Sequence, residues 1–335
     1  MKFISFDDQG RPAIGLFHDQ KSYRLSVLQP HLPHDMTEFL SLGEMGMQQA
    51  RDAHQQIIAG EFKPEALITH EIQLLAPVPR PTSCRDGYAF RQHVAAARRN
   101  RGVDMIAEFD QYPIFYFTNH RSVQGPGAIR CMPDHFRQLD FELEVAVVIG
   151  KAGRNIRAAE ADQHIAGYTI MNDMSARTLQ MEEMLLNLGP AKGKDFSTVI
   201  GPWLVTPDEL EPYRCAPPAG HTGSAFRLDM VCRVNGVEVS RGNMGDMDWT
   251  FAEIIERCAY GVDLVPGDVI GSGTVGTGCF LELNGTGKRL NPDGFVPQWL
   301  QEGDQVDLEV TGLGLLRNHI EREGDDFSIL ALKKS

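Results

Sequence analysis

Leu139-Asp140-Phe141-Glu142-Leu143-Glu144-Val145-Ala146-Val147 alternates apolar and acidic residues with a period of two. In a strand this spacing sends Phe141, Leu143 and Val145 to one face and Glu142 and Glu144 to the other. The two carboxylates then stand about 6–7 Å apart at the backbone, by the rise of a strand. Like charges so placed repel, and an enclosed face must answer them with protons, basic partners or a cation. A wet outer face answers them with water, and this stretch alone leaves both readings open.

Working outward, the run at 139–149 is one of several that read as strands, with 167–172, 197–205, 225–234, 268–271, 279–283 and 305–310. Helices are expected at 159–165 and at 249–260, where Phe251, Ile254, Ile255 and Cys258 share a face at helical spacing. Toward the N-terminus, strands at 2–6, 12–17 and 22–28 are separated by the turn signals Asp7-Asp8-Gln9-Gly10 and His18-Asp19-Gln20-Lys21. A helix follows at 37–58, with Asp35 or Thr37 as N-cap and Gly60 as its stop. Residues 74–82, which hold Pro77, Pro79 and Pro81, have the stiff composition of a linker. The division expected is a small β-rich N-terminal domain with one helix, 1–76, and a larger domain, 77–335. Strands and helices do not alternate regularly, so the fold class is α+β and strand-rich rather than doubly wound.

Composition narrows the function. The 335 residues are 42% hydrophobic, enough to bury a sizeable core. The net charge of −13, from 45 acidic and 32 basic residues, opposes attraction to nucleic acid or anionic lipid. The opening Met1-Lys2-Phe3-Ile4-Ser5-Phe6-Asp7-Asp8 turns acidic before a signal-peptide core develops, and no stretch reaches the ~18 apolar residues of a membrane span. A cytoplasmic protein with neither nucleic-acid nor membrane partners is the expectation. The six cysteines form no C-x-x-C pair, which reads as reduced, packed thiols.

Further acids extend the opening pair. Asp173 ends the apolar run Gly167-Tyr168-Thr169-Ile170-Met171-Asn172, and Asp86 lies in the turn-like Cys84-Arg85-Asp86-Gly87. Acids at strand ends and turns are commonly solvated or capping. Hard cations, though, take several oxygen ligands, which carboxylates from separate segments supply. The dense cluster Arg91, Arg98, Arg99 and Arg101 is either a solvated helix face or a carboxylate grip over the site, with residues 102–112 as a lid.

These segments, taken with Asp86-Gly87-Tyr88-Ala89-Phe90-Arg91-Gln92-His93, Met171-Asn172-Asp173-Met174-Ser175-Ala176-Arg177, Gly193-Lys194-Asp195-Phe196 and Pro266-Gly267-Asp268-Val269-Ile270-Gly271-Ser272-Gly273-Thr274, resemble the motifs of the fumarylacetoacetate hydrolase family, in the family's order. The resemblance covers roughly residues 80–315. It implies a mixed β-roll catalytic domain, a homodimer, and Mg²⁺ or Ca²⁺, with Mn²⁺ as a further option, held by Asp86, Glu142, Glu144 and Asp173. It implies His93 as the base that activates water and Glu282 as the carboxylate that orients it. Arg177, Gln180 and Lys194 match groups that contact substrate and developing oxyanion; Tyr88, Thr274 and Tyr116 match further substrate contacts. Between Gln180 and Lys194 the chain lacks the aromatic residues of the animal fumarylacetoacetate hydrolases, and its loop after Thr274 is shorter.

The function expected from the resemblance is metal-dependent hydrolysis of the carbon–carbon bond of a β-diketone acid, fumarylacetoacetate or an acylpyruvate, by water activated at His93. A divalent ion polarises such a carbonyl, and a neutral histidine suits the proton transfer near pH 7. The alternative keeps the metal site and has the chain decarboxylate, isomerise or dehydrate a small 2-oxo acid. A third reading is a metal-stabilised protein without catalysis.

Overall fold

The computed structural model describes residues 1–334. In chain order the elements that build the site are β1 (Lys2–Asp7), β2 (Pro12–His18), β3 (Lys21–Arg24), α1 (Met36–Ser41), α2 (Glu44–Ala59), β4 (Cys84–Gly87), α3 (Arg91–Asn100), β5 (Phe115–Thr118), β6 (Leu143–Ile149), β7 (Ile165–Asp173), α4 (Arg177–Met184), β8 (Thr198–Val205), α5 (Phe251–Ala259), β9 (Val269–Gly271) and α6 (Phe280–Leu290). The main sheet has eleven strands, running from Leu67–Ile68 through β3, β2, β1, β8, β7, β6, β9 and β4 to β5, with Val123–Gln124 beside β8. A second sheet of five strands orders Val237–Asn243, Asp229–Val234, Gln305–Val310, Gly314–Arg322 and Gly127–Cys131. The protein is thus mixed α+β and strand-rich.

Alternation in the opening stretch decides how these layers meet. Leu143, Val145, Val147 and Ile149 join the apolar cluster shared with the second sheet, beside Met230, Leu308 and Leu316. Ala146 and Val148 point the other way, into a cluster with Met36, Phe39, Ala53 and Ile57 from α1 and α2. Each such fully buried aliphatic side chain contributes about 1.5–3 kcal/mol. The outer face of β6 is therefore covered, not wet, and Glu144 stands where that face runs out of apolar neighbours.

Several expected elements change shape. The run at 139–149 is not continuous: Leu139–Asp140 pairs with Ser175–Ala176, and β6 starts at Leu143. At the break, side chains replace ladder partners, Asp140 Oδ1 accepting from the Phe141 amide at 3.0 Å and Asn172 Oδ1 from the Glu142 amide at 3.0 Å. The strand expected at 279–283 is the first turn of α6. A five-residue apolar run does not distinguish the two, and here packing on α3 decides. An alanine-sized Cβ at Gly285 would lie 2.5 Å from Asn100 Nδ2, and one at Gly287 would lie 2.2 Å from Phe295. Those glycines are where the helix is approached closely.

The helix expected at 37–58 is two, broken where Gly43 takes φ +57°; Asp35 caps the first and left-handed Gly60 ends the second. Strand 22–28 stops at Arg24 and becomes the helical turn Leu25–Leu28. Helix 159–165 is the short Ala158–Ala161 plus a 3₁₀ turn, with Ile165 already in β7. The run at 225–234 is interrupted between Phe226 and Asp229. Cys84–Gly87, read as a turn, is strand β4. Helix 249–260 is α5, its start fixed by a Thr250–Glu253 capping box. Across residues 74–82, β1 pairs with β8, so the N-terminal strands extend the main sheet.

Candidate active site

Four acids converge where β4, β6 and β7 end. Asp86 sits on β4, Glu144 on β6, Glu142 just before β6, and Asp173 closes β7. Each offers a carboxylate oxygen within 4.8 Å of the other three, and all four side chains are buried. Period-two geometry delivers Glu142 and Glu144 to one face, as the sequence implied; sheet register delivers the other two, since Gly271 of β9 opposes both Ala146 and Asp86, and Asn172, beside Asp173, opposes Leu143 of β6.

Two buried cations and two hydroxyls answer part of this charge. Lys194 Nζ donates to Asp173 Oδ2 at 2.7 Å and to Glu142 Oε2. Arg177 donates through Nη2 to Glu142 Oε1 at 2.8 Å, through Nε to Asp140 Oδ2 at 2.8 Å and through Nη1 to Gln180 Oε1 at 2.9 Å. The Tyr116 hydroxyl donates to Asp173, and the Thr274 hydroxyl to Glu144 Oε1 at 3.2 Å. Burial raises the Glu142 pKa, but Lys194 and Arg177 outweigh it and hold this acid at about 2. Burial and the Asp173 charge push Asp86 up to about 7. Burial, then Asp86, holds Glu144 well above the carboxylate range, and burial leaves Asp173 raised despite Lys194. Glu144 Oε2 and Asp173 Oδ1 are buried with no hydrogen-bond partner among the described residues. Orphaned acceptors in an all-oxygen cluster fit a hard divalent cation.

Against this cluster opens a cavity of about 730 Å³. Asp86, Tyr88, His93, Tyr116, Glu142, Arg177, Gln180, Lys194, Thr274 and Glu282 line it, while Glu144 and Asp173 lie behind the wall. The metal, catalytic and substrate-contact residues that the family resemblance implied are thereby brought to one place. His93, on the first turn of α3, meets Glu282, on the first turn of α6, with Nδ1 to Oε2 at 2.7 Å. Asn100 Nδ2 ties the two helices by donating to the Glu282 carbonyl at 3.1 Å. Tyr88 packs edge-on to the His93 ring, centroids 5.8 Å apart. Lys194 is set by its loop: Glu183 accepts from the amides of Ala191, Lys192 and Gly193 at 2.7–3.1 Å. Of the arginine cluster, Arg101 lines the cavity, while Arg91 pairs with Asp110 and Asp248.

Sequence reasoning missed Asp140. It is fully buried and accepts from the Phe280 amide at 2.7 Å and the Leu281 amide at 2.9 Å, so it holds the start of α6 as well as Arg177. The signal was present, because Asp140, Glu142 and Glu144 share one period of two. The Asn172 side chain, likewise missed, positions Glu142.

Comparison with known proteins identifies the family. The family model described as fumarylacetoacetate (FAA) hydrolase C-terminal matches residues 82–321. The chain is similar to the mitochondrial oxaloacetate tautomerase of Homo sapiens, 33% identical over 305 residues that cover 88% of this chain and 82% of the relative. It is also similar to the oxaloacetate tautomerase of Bacillus subtilis, 29% identical over 339 residues covering 96% and 100%. Among solved structures, the fumarylacetoacetate hydrolase of Exiguobacterium antarcticum superimposes with a TM-score of 0.67 over 96% of this chain and all of that one; at 24% identity it speaks to the fold alone. The chain belongs to the fumarylacetoacetate hydrolase family.

Proposed function

We propose that this enzyme is an isomerase that interconverts the keto and enol forms of a 2-oxo acid, with a divalent ion held by Asp86, Glu142, Glu144 and Asp173. The observation that carries this reading is its 33% identity to a protein named an oxaloacetate tautomerase. Mg²⁺, Ca²⁺ and Mn²⁺ all suit an all-oxygen donor set. Such an ion, when bound, draws electron density from the 2-oxo group and so acidifies the hydrogens on C3.

The chain's own residues do the rest. Glu282 accepts from His93 Nδ1, which leaves Nε2 as the free base and stabilises the imidazolium once formed. His93 takes the proton from C3; the C–H electron pair becomes the C2–C3 double bond, and the carbonyl pair moves onto O2. Delivery of the proton to O2 completes the enol, and the reverse sequence returns the keto form. Lys194 keeps its own proton, because Asp173 and Glu142 raise its pKa against the effect of burial. Together with Arg177 it therefore serves as fixed positive charge toward the developing oxyanion. Gln180, Thr274, Tyr88 and Tyr116 position the substrate.

Hydrolysis of a β-diketone acid is the second reading, favoured by the His93–Glu282 pair at 2.7 Å, which equally suits activation of water. One experiment separates them: enol absorbance is followed with oxaloacetate, and acid products with a short acylpyruvate, with Mg²⁺ and with chelator. Metal-dependent enol decay without new acids supports the isomerase; two acids from the acylpyruvate support the hydrolase. Inertness toward both sinks both. A homodimer and a cytoplasmic location belong to the same proposal, although the human relative is named as mitochondrial; sedimentation and cell fractionation test them.

A further inference from the structure

On the reading of this site as one for 2-oxo acids, on which it rests, we propose that the preferred substrate carries an apolar chain or ring well beyond the four-carbon frame of oxaloacetate. The cavity is divided in kind. Its sheet side holds the acids, Lys194 and Arg177, while its other side is walled by Met181, Met184, Pro190, Leu281, Pro297 and Trp299. At about 730 Å³ it falls in the upper part of the ~300–1,000 Å³ range that suits drug-sized ligands. A small diacid bound at the carboxylate end leaves most of that space, and nearly all of that apolar wall, in water.

Helical geometry produces the division. On α4, Arg177 and Gln180 face the polar end, and Met181 and Met184 stand four residues further on from each in turn. On α6, Leu281, Gly285 and Lys288 line the cavity at positions i, i+4 and i+7, so one stripe leads from the Glu282 end to the mouth. Thioethers adapt to ligands of varied shape. The segment between Met184 and Pro190 continues the apolar character, with Leu185, Leu186 and Leu188 exposed by 80%, 81% and 93%. Exposed apolar surface beside a cavity marks a contact with a ligand or with another macromolecule. At the mouth stand Arg101 and Lys288, which offset the repulsion of an anionic substrate by a chain of net charge −13.

The test uses two series with Mg²⁺ present: linear 2-oxo acids of increasing chain length, scored by kcat/KM for tautomerisation, and N-alkyl oxamates, which lack the exchanging C3 hydrogens, scored by Kd from calorimetry. Both are expected to improve about fourfold per methylene over the first few carbons, the equivalent of ~0.8 kcal/mol per buried CH₂. Met184→Asp, at a position already 40% exposed, is expected to cut the long-to-short ratio about tenfold in both series. If oxaloacetate is turned over but outperforms every tailed acid, and the oxamate series is flat, the apolar subsite is overturned and the tautomerase reading stands. If oxamate affinity climbs with chain length but no 2-oxo acid is isomerised, the subsite is upheld and the tautomerase reading falls.

Discussion

The two sides of the cavity are built on different principles. On the sheet side, Asp86, Glu144 and Asp173 ride on strands β4, β6 and β7, and Glu142 adjoins β6; ladder hydrogen bonds fix the backbone and the carboxylates are buried. On the helix side, His93 and Glu282 come from two helices joined through Asn100, and one 2.7 Å contact joins the side chains. The sheet concentrates charge that protons, cations or an ion must balance. The helices hold an imidazole against a carboxylate at a distance set by packing. The two walls should therefore fail separately.

The largest expected effect tests that separation. His93→Ala should lower turnover by ~10²–10⁴, or about 3–5 kcal/mol of transition-state stabilisation. The rise in melting temperature on adding Mg²⁺ should not change. Loss of that rise would mean that the walls are one structure and would break the comparison.

Next comes the charge of the sheet side. In chelator, Asp86 titrates at about 7 in the folded protein against 3.8 when exposed, held up by burial and Asp173. The folded state therefore binds the proton more tightly. Its contribution to stability is complete below the unfolded pKa and is lost as pH rises through about 7. Between pH 5 and pH 8 the metal-free protein should lose stability on the order of 3 kcal/mol. Saturating Mg²⁺ should reverse the slope, since the ion binds the ionised acids and competes with protons. Denaturant melts at both pH values check this; an unchanged slope with Mg²⁺ would remove the four acids as its ligands.

Glu144→Gln should then do two opposite things. Burial and the Asp86 charge disfavour the Glu144 carboxylate in the folded, metal-free protein, whereas glutamine carries no charge in either state. The metal-free protein should gain about 1–3 kcal/mol, and Mg²⁺ should no longer stabilise it. A loss of stability in chelator would show that Glu144 is held by contacts and not opposed by charge.

The same contrast governs what was legible in the sequence. Strand alternation is a local rule, so the residues from Leu139 to Val147 announce the paired acids and the apolar face by themselves. The rule does not reveal what Asp140 does in that series, because Asp140 caps α6, a contact across 140 positions. Nor does it reveal that the face opposite Leu143 and Val145 is covered, since the cover comes from α1 and α2, far away in the chain. His93 and Glu282 entered through family resemblance alone. The helical character of α6 was hidden likewise, because the short run at 279–283 does not carry it and the packing that settles it, against Asn100 and Phe295, comes from elsewhere.

Gly285→Ala gives the smallest effect and the sharpest view of the helix side. Alanine raises helix propensity by about 1 kcal/mol over glycine. Its Cβ would also lie 2.5 Å from Asn100 Nδ2 and 2.9 Å from Asn100 Cβ. Asn100 must swing away and give up its two bonds, to the Glu282 carbonyl and Thr286, which costs about 1–3 kcal/mol. Turning the Asn100 side chain does not relieve the 2.9 Å contact with its Cβ, so the helices must also shift, and the melting temperature should fall by a few degrees. Catalysis should not be spared: with Asn100 displaced, α3 and α6 separate slightly and His93 loses its fixed orientation toward Glu282. Turnover should fall several-fold, short of the ~10–100-fold typical of losing an orienting partner outright, with Mg²⁺ affinity unchanged. Equal turnover would mean that the 2.7 Å contact survives without the Asn100 tie, and that α6 is held in place by Asp140 at its start.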